Sequence, residues 1–573
     1  MDLLKSIEES KLSLNLFLEN RFDLAEKKLA KFVDCSIYHS LGNGLLLMIR
    51  ALMSFERADI EKAIEAIDKG LSLIQQFRGK QYRTIELIFR MKGYNNNLCD
   101  YTEEQLHAEL CYAELIMIRA ILCLLSDETL TGKIGGLLRI RSCFSIYSGL
   151  YRFLKENEDH RNNSLLWQEF EAGVCFGFGL FNLLLASIPA KLAIFLQLAG
   201  LNGDKEKGIS ELIKCSKFDG TLRSPFASIS MLFYQLVVVS FIGVEKIDLG
   251  LCERIFTKLN GNYSKGAIIL FLRARYRLLN GGHIDESVQL YWRSIRSQSE
   301  YKQFHHICHW ELAVTNIFLL HWTRAAWHAN KLYEESKWSK SIYAYLLAVC
   351  IEADKTGDMS KNNEAVRILM SKVPENRIRI AGKSIPMEKF CEKRALRRLQ
   401  MNNNNKDSEE TQKLFLPQFE LIYLCSGFGL LNNFCCPWIV RPLLEFIDKE
   451  WEEFNKGAKK SNNCVKAEQL LWLFLRAICL GKLGEFHEAF GIFQKIIRSE
   501  SPALRYGQYG YLFPCAHLEL ALILDEINPS ELKKVVLLEK ALAYKGYGLE
   551  TRTRLRIHSA LNKLEEGRKY RKS

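Results

Sequence analysis

Apolar or small residues recur along the chain at offsets of 0, +3, +7 and +10, a spacing that falls on one stripe of an α-helix. The pattern occurs at Phe22/Ala25/Leu29/Phe32, Ile60/Ala63/Ile67/Gly70, Ile284/Ser287/Tyr291/Ser294, Trp322/Ala325/Ala329/Leu332 and Phe486/Ala489/Phe493/Ile496. Each copy comes after a short turn and another apolar helical segment. Gly281-Gly282-His283-Ile284 and Leu483-Gly484-Glu485-Phe486 supply turn glycines. The small residue in second place lets a paired helix come close, and the larger ones fill the groove between the two. One copy could arise from any amphipathic helix. Five, each with its turn, predict a chain of helix–turn–helix units.

The longest apolar stretch is 173–212, in which residues 172–201 carry a single charge, Lys191. It is long enough to cross a hydrocarbon layer, which takes roughly 20 apolar residues. Pro189 divides it, because proline lacks an amide hydrogen and clashes with the preceding turn. Gly173, Gly177 and Gly179 thin one face of the first half for close helix contact. The second half stops at Gly200, and Asn202-Gly203-Asp204 leads into a charged helix start. A buried helical hairpin is expected, with a membrane-embedded stretch as the alternative.

Elsewhere, Thr102-Glu103-Glu104-Gln105 reads as a capping box opening a helix through Leu125. Gly135-Gly136 is expected to interrupt two apolar segments ending near Leu154, and residues 155–164 to form a polar loop. The run 226–242 suits another buried helix. Residues 401–413 (MNNNNKDSEETQK) are polar and of low complexity, and predict a disordered linker. The expected organisation is an N-terminal helical repeat region over 1–165 and a central one over 166–400 that includes the apolar hairpin. The linker 401–413 and a C-terminal repeat region over 414–573, with a frayed basic tail, complete it.

Composition adds limits. A chain of 573 residues exceeds one compact core, so several domains or a repeat array are expected. The 48% hydrophobic and 25% charged content is that of a soluble globular protein, and only 10 prolines suit helices. The net charge of +13 is spread among alternating acids and bases, which describes solvated helix faces and not a polyanion groove. The start, MDLLKSIEE, lacks a basic segment followed by an apolar core, so no secretory signal is expected. Seventeen cysteines without a CxxC pair then read as reduced thiols of the cytosol or nucleus.

Candidate chemistry is sparse. His305, Cys308 and His309 would share a helical face beside His306, but no companion cluster offers a fourth zinc ligand, so no metal is expected. Ala381-Gly382-Lys383-Ser384 resembles the end of a phosphate-binding loop, yet Arg377 stands where its first glycine belongs and Pro386 comes after. Gly177-x-Gly179 lacks the third glycine of a dinucleotide fingerprint, since Asn182 occupies that place. No catalytic constellation, cofactor site or small-molecule substrate site emerges. Lys389, Lys393, Arg394, Arg397 and Arg398 form the strongest basic cluster. It reads either as a solvated helix end or as a docking patch for an acidic partner or anionic lipid surface. Nucleic acid is not expected, because no aromatic platform accompanies it.

Several segments resemble the tetratricopeptide repeat protein 39 family, related to the fungal inclusion-body-clearance proteins. They are HAELCYAELIMIRAILCLL (107–125), KIGGLLRIRSCFSIY (133–147), the central stretch 177–212, FHHICHWELA (304–313), EESKWSKSIYAYLLA (334–348), RIAGKSIPMEKF (379–390) and TRLRIHSALNKL (553–564). IAGKSIP-x-EKF places the likeness closer to the A and B branches, with departures at 401–413 and 425–440. The resemblance implies a scaffold without enzymatic activity, and it brings no catalytic residues with it. Animal members are associated with lipid and sterol homeostasis through control of nuclear-receptor turnover, another branch with cilia, and fungal members with aggregate clearance and lipid droplets. The expected fold is all-α: tetratricopeptide-like hairpin repeats in a superhelical solenoid around a buried central apolar hairpin. The expected function is a cytoplasmic adaptor binding protein partners along a groove. The alternatives are a protein at a membrane or lipid-droplet surface that takes part in aggregate clearance, or a cilium-related adaptor, and nuclear residence is a further location.

Overall fold

The computed structural model describes residues 2–54, 56–79, 98, 101–126, 130–157, 164–187, 201–380, 383–403, 413–431, 437–456, 462–528 and 530–570. The helices are α1 Leu3–Leu18, α2 Phe22–Ala30, α3 Ile37–Ser54, α4 Arg57–Phe77, α5 Glu103–Ser126, α6 Leu130–Glu156, α7 Leu165–Ala186, α8 Lys205–Ser216 and α9 Ser224–Phe233. They continue as α10 Leu249–Tyr263, α11 Ala267–Leu279, α12 Ile284–Arg296, α13 Lys302–Phe318, α14 Trp322–Glu335, α15 Lys340–Ala353, α16 Met359–Glu375 and α17 Pro386–Asn403. The last are α18 Pro417–Leu424, α19 Pro437–Lys456, α20 Asn462–Leu483, α21 Phe486–Arg498, α22 Leu512–Ile527, α23 Glu531–Ala543 and α24 Glu550–Tyr570. Among the described residues the one β element is a two-residue ladder, Arg379–Ile380 with Lys383–Ser384. Neighbouring helices pack as pairs (α3 with α4, α5 with α6, α15 with α16, α20 with α21, α22 with α23), as helical hairpin repeats require.

The repeat register matches the stripes read from the sequence. Ala63, Ile67 and Gly70 are buried on α4, Ser287, Tyr291 and Ser294 on α12, Ala325, Ala329 and Leu332 on α14, and Ala489, Phe493 and Ile496 on α21. The leading residue is buried only in Phe22; Ile60, Ile284, Trp322 and Phe486 are half-buried at the helix start. Phe32 departs from the pattern, because α2 ends at Ala30 and the ring lies beyond it against His39, with centroids 5.3 Å apart. Gly282 and Gly484 adopt φ of 63° and 84°, the left-handed conformation that lets one helix fold back onto the next.

The chain forms two compact units: Met1–Tyr234 with Gly250–Leu270 and Arg296–Gln303, and Gln235–Leu249 with Phe271–Ile295 and Phe304–Ser573. In the first, the capping box closes reciprocally: Thr102 N–H donates to Gln105 Oε1 (3.0 Å) and Gln105 N–H to Thr102 Oγ1 (3.3 Å). Helix α6 runs unbroken through Gly135-Gly136, contrary to the expected interruption. Each glycine costs a helix roughly 1 kcal/mol against alanine, and packing along α5 offsets that weak local preference.

Helix α7 packs against α5, α6, α8 and α9 in this unit, and most of its apolar length is buried. A Cβ on Gly173 would strike Leu110 of α5, and one on Gly177 the ring of Tyr147 on α6. At the crossing with α8, a Cβ on Gly179 would lie 2.9 Å from the Gly208 carbonyl oxygen. Glu169 and Glu171 on the same helix are buried and paired, with Lys11 at 3.0 Å and Lys214 at 2.8 Å. The first half of the apolar stretch is therefore enclosed by protein on three sides. Pro189, Lys191 and the rest of 188–200, the expected second arm, lie outside the described residues. The run 226–242 is helical but only half-buried: α9 passes into a π-helical segment, Tyr234–Val239, and ends in the turn Ser240–Ile242.

In the second unit a continuous core includes Val314, Tyr345, Phe419, Phe474, Phe493 and Phe513. Residues 401–403, expected in the linker, complete α17; residues 404–412 lie outside the described set, as do 571–573 of the basic tail.

Candidate partner-binding groove

In the second unit α20, α22 and α24 are the first members of successive helix pairs or their continuation, so each turns one face away from its partner helix. Between those faces and the chain segment 239–247, which forms one wall, lies a space of about 600 Å³ lined by Ile478, Gly481 and Lys482 of α20, Leu522, Ile523 and Glu526 of α22, and Lys563 of α24. A second space of about 420 Å³ shares Val244, Leu522, Asp525 and Lys563 with it and extends toward α23. Charges at the groove are satisfied in pairs. Arg556 Nη1 donates to Glu519 (2.6 Å), which also accepts from the Tyr423 hydroxyl (2.9 Å), and Lys534 pairs with Asp525. Burial opposes charge on both Arg556 and Glu519. Their mutual attraction outweighs it, raising the pKa of the arginine and lowering that of the carboxyl.

One non-helical segment of the chain forms a wall of this groove. The turn Ser240–Ile242 ends at Gly243, whose φ of +62° turns the backbone out of the helix while its N–H still donates to Val239 O (2.8 Å). Val244 then enters an apolar pocket of Leu518, Ala521, Leu538, Ala541, Ile557 and Ala560. Arg556 Nε donates to Ile242 O (2.8 Å) and Lys563 Nζ to Val244 O (3.3 Å). Lys246 reaches Glu526 at 3.2 Å, at the solvent-exposed rim.

The basic cluster read from the sequence does not form one surface. Lys389 and Lys393 are exposed, whereas Arg394 and Arg398 are buried. Arg394 Nε donates to Glu420 Oε2 (3.0 Å), and its Nη1 to Gln508 (3.1 Å); Tyr511 closes on the same carboxylate at 2.6 Å. Arg398 Nε donates to Glu352 (2.7 Å), and the half-buried Arg397 to Glu468 (3.2 Å). Three of the five cations thus tie α17 to α15, α18 and α20. Sequence carried a signal for this: Cys391 and Ala395, buried one turn apart, mark an inward face, and Arg394 and Arg398 lie on it.

The histidine cluster is split as well. Cys308 is buried, and its thiol donates to Ser294 Oγ (3.5 Å); burial raises its pKa to about 12. His309 Nδ1 meets His328 Nδ1 at 2.9 Å beside the Trp292 and Trp327 rings, and burial lowers their pKa values to about 4 and about 3. Among the described residues no three His, Cys, Asp or Glu side chains are grouped to hold a metal ion. Lys383 and Ser384 fall in the β-ladder, and Ala381 and Gly382 lie outside the described residues.

The first unit contains a separate apolar recess of about 180 Å³ lined by Leu14, Leu41, Met117, Ile121, Leu180 and Phe226. Arg223 also lines it and makes paired 2.9 Å bonds to Glu114 and a 3.2 Å bond to the Tyr38 hydroxyl.

Residues 11–501 match the family model described as Iml2/Tetratricopeptide repeat protein 39. The chain is also 36% identical over 564 residues to tetratricopeptide repeat protein ttc-39B of Caenorhabditis elegans, covering 98% of this chain and 93% of that protein.

Proposed function

We propose that this chain, which belongs to the Iml2/Tetratricopeptide repeat protein 39 family, is a non-enzymatic cytoplasmic adaptor that binds partner proteins in the groove of α20, α22 and α24. Stacked helix pairs bury a continuous core and leave the free faces of alternate helices as an extended surface suited to peptides and helices. The observation that carries the reading is the groove itself: a space of about 600 Å³ with mixed apolar and charged lining, beside which Arg556 and Lys563 hold a segment of the chain by its main-chain carbonyls. Two of its carboxylates are engaged by neighbouring cations, Glu519 by Arg556 and Asp525 by Lys534. The family resemblance supports a role for this adaptor in lipid and sterol homeostasis.

A second reading, attachment to a membrane or lipid-droplet surface, rests on the apolar recess of the first unit and on α9, whose Phe233 is 50% exposed. Proximity labelling in cells, comparing wild type with Lys563→Glu, separates the two. The adaptor reading expects a set of labelled proteins that the variant loses at equal expression. Labelling confined to membrane proteins and unchanged by the variant would replace it with the second.

A further inference from the structure

Residues Gln235–Leu249 belong to the second unit, although the chain before them, Met1–Tyr234, and after them, Gly250–Leu270, belongs to the first. The switch coincides with the π-helical segment Tyr234–Val239, a wide helical turn that is rare in proteins and frequently found at functional sites. Beyond it, residues 242–246 are held in the manner of a bound peptide. Val244 fills an apolar pocket, the carbonyls of Ile242 and Val244 accept from Arg556 and Lys563, and Lys246 pairs with Glu526 two residues further on.

The hold is slight. Of residues 243–248 only Val244 is buried, and Gly243, Lys246 and Asp248 are exposed. Both spaces, of about 600 and 420 Å³, border Val244, Leu522, Asp525 and Lys563, so open space adjoins the segment. Main-chain recognition combined with one small branched side chain makes few demands on sequence. A segment in trans can satisfy them and use the open space besides.

We propose that the groove recognises a partner segment bearing a branched apolar residue followed two places later by a cation, and that Gly243–Ile247 occupies it in cis as a competing pseudo-ligand. This rests on the adaptor reading above. A tethered segment of this length competes at an effective concentration on the order of millimolar. Wild type is therefore a weak receptor until the cis segment leaves.

The test is an anisotropy titration of a fluorescein-labelled synthetic peptide of residues 238–250 with the full chain. Val244→Asp, which expels the cis segment, should bind the peptide at least about tenfold more tightly than wild type. Lys246→Glu should give an intermediate gain, and Lys563→Glu added to Val244→Asp should abolish binding. Equal affinity in wild type, Val244→Asp and Lys246→Glu overturns the proposal, as does tight binding indifferent to Lys563→Glu. Should Val244→Asp fold poorly, two measurements decide: Lys246→Glu, altered at a side chain 84% exposed, and deuterium exchange in wild type. Faster exchange at the amides of 244–248 on adding peptide supports displacement, and unchanged exchange at millimolar peptide overturns it. Partners lost from Lys563→Glu cells while peptide affinity is equal across the variants would leave the adaptor reading standing and remove only the cis competitor.

Discussion

Buried ion pairs decide what the basic residues of α17 do. Arg394 is held charged inside the protein because Glu420 outweighs the burial that opposes its charge, and it lies 4.5 Å from the centre of the Tyr509 ring. Removing one member of such a pair strands the other, at a cost of about 3–5 kcal/mol. Arg394→Ala is therefore expected to destabilise the second unit by that amount in urea unfolding. Lys393→Ala, one residue away on the solvent side, should stay within about 0.5 kcal/mol. Equal, small effects would mean that the cluster is a solvated patch after all. The partners Glu352, Glu420 and Glu468 stand 46, 26 and 71 residues from their arginines. No local pattern announces such pairings, which is why five adjacent cations read as one patch. The first unit hides a similar chain. His107, whose pKa falls to about 3 through burial and the nearby Arg223 charge, is neutral. Its Nε2–H donates to Leu166 O (3.1 Å), and its Nδ1 accepts from Tyr38.

At the scale of helices, the sequence pattern was most informative where one face alone is buried. The stripes through Ala63, Ala325 and Ala489 gave both the element and its register, because a small residue every few turns is what close helix pairing demands. It was least informative for α6, where Gly135-Gly136 suggested a break that packing along α5 overrides, and for α9, where nothing local signals a π-helical turn. The glycines of α7 show the same contrast between local preference and contact. Gly179 meets Gly208 backbone to backbone, which no side-chain rotation can relieve, while nothing lies within 4 Å of a Cβ on Gly491 in α21. Gly179→Ala should lower stability by about 1–3 kcal/mol through overpacking, and Gly491→Ala should raise it by roughly 0.5–1 kcal/mol through helix propensity. Thermal unfolding of the two variants beside wild type checks both signs. A harmless Gly179→Ala would show that α7 and α8 do not cross there.

For the whole molecule, the repeat architecture was legible from spacing alone, and the groove was not. It is assembled from helices between residues 462 and 570 and from a segment more than two hundred residues earlier, whose role rests on one valine and two carbonyls. Periodicity identifies the buried face of a helix; it is silent on which free faces converge. The adaptor reading stands or falls on partners binding where these faces meet. A photo-crosslinking amino acid placed at Ile523 in the groove, and separately at Leu396, which is 43% exposed on α17, probes that contact in cells. Protein adducts are expected from position 523 that disappear when Lys563→Glu is added, with few from position 396. Adducts from 396 but not 523, or adducts at 523 untouched by Lys563→Glu, would refute it.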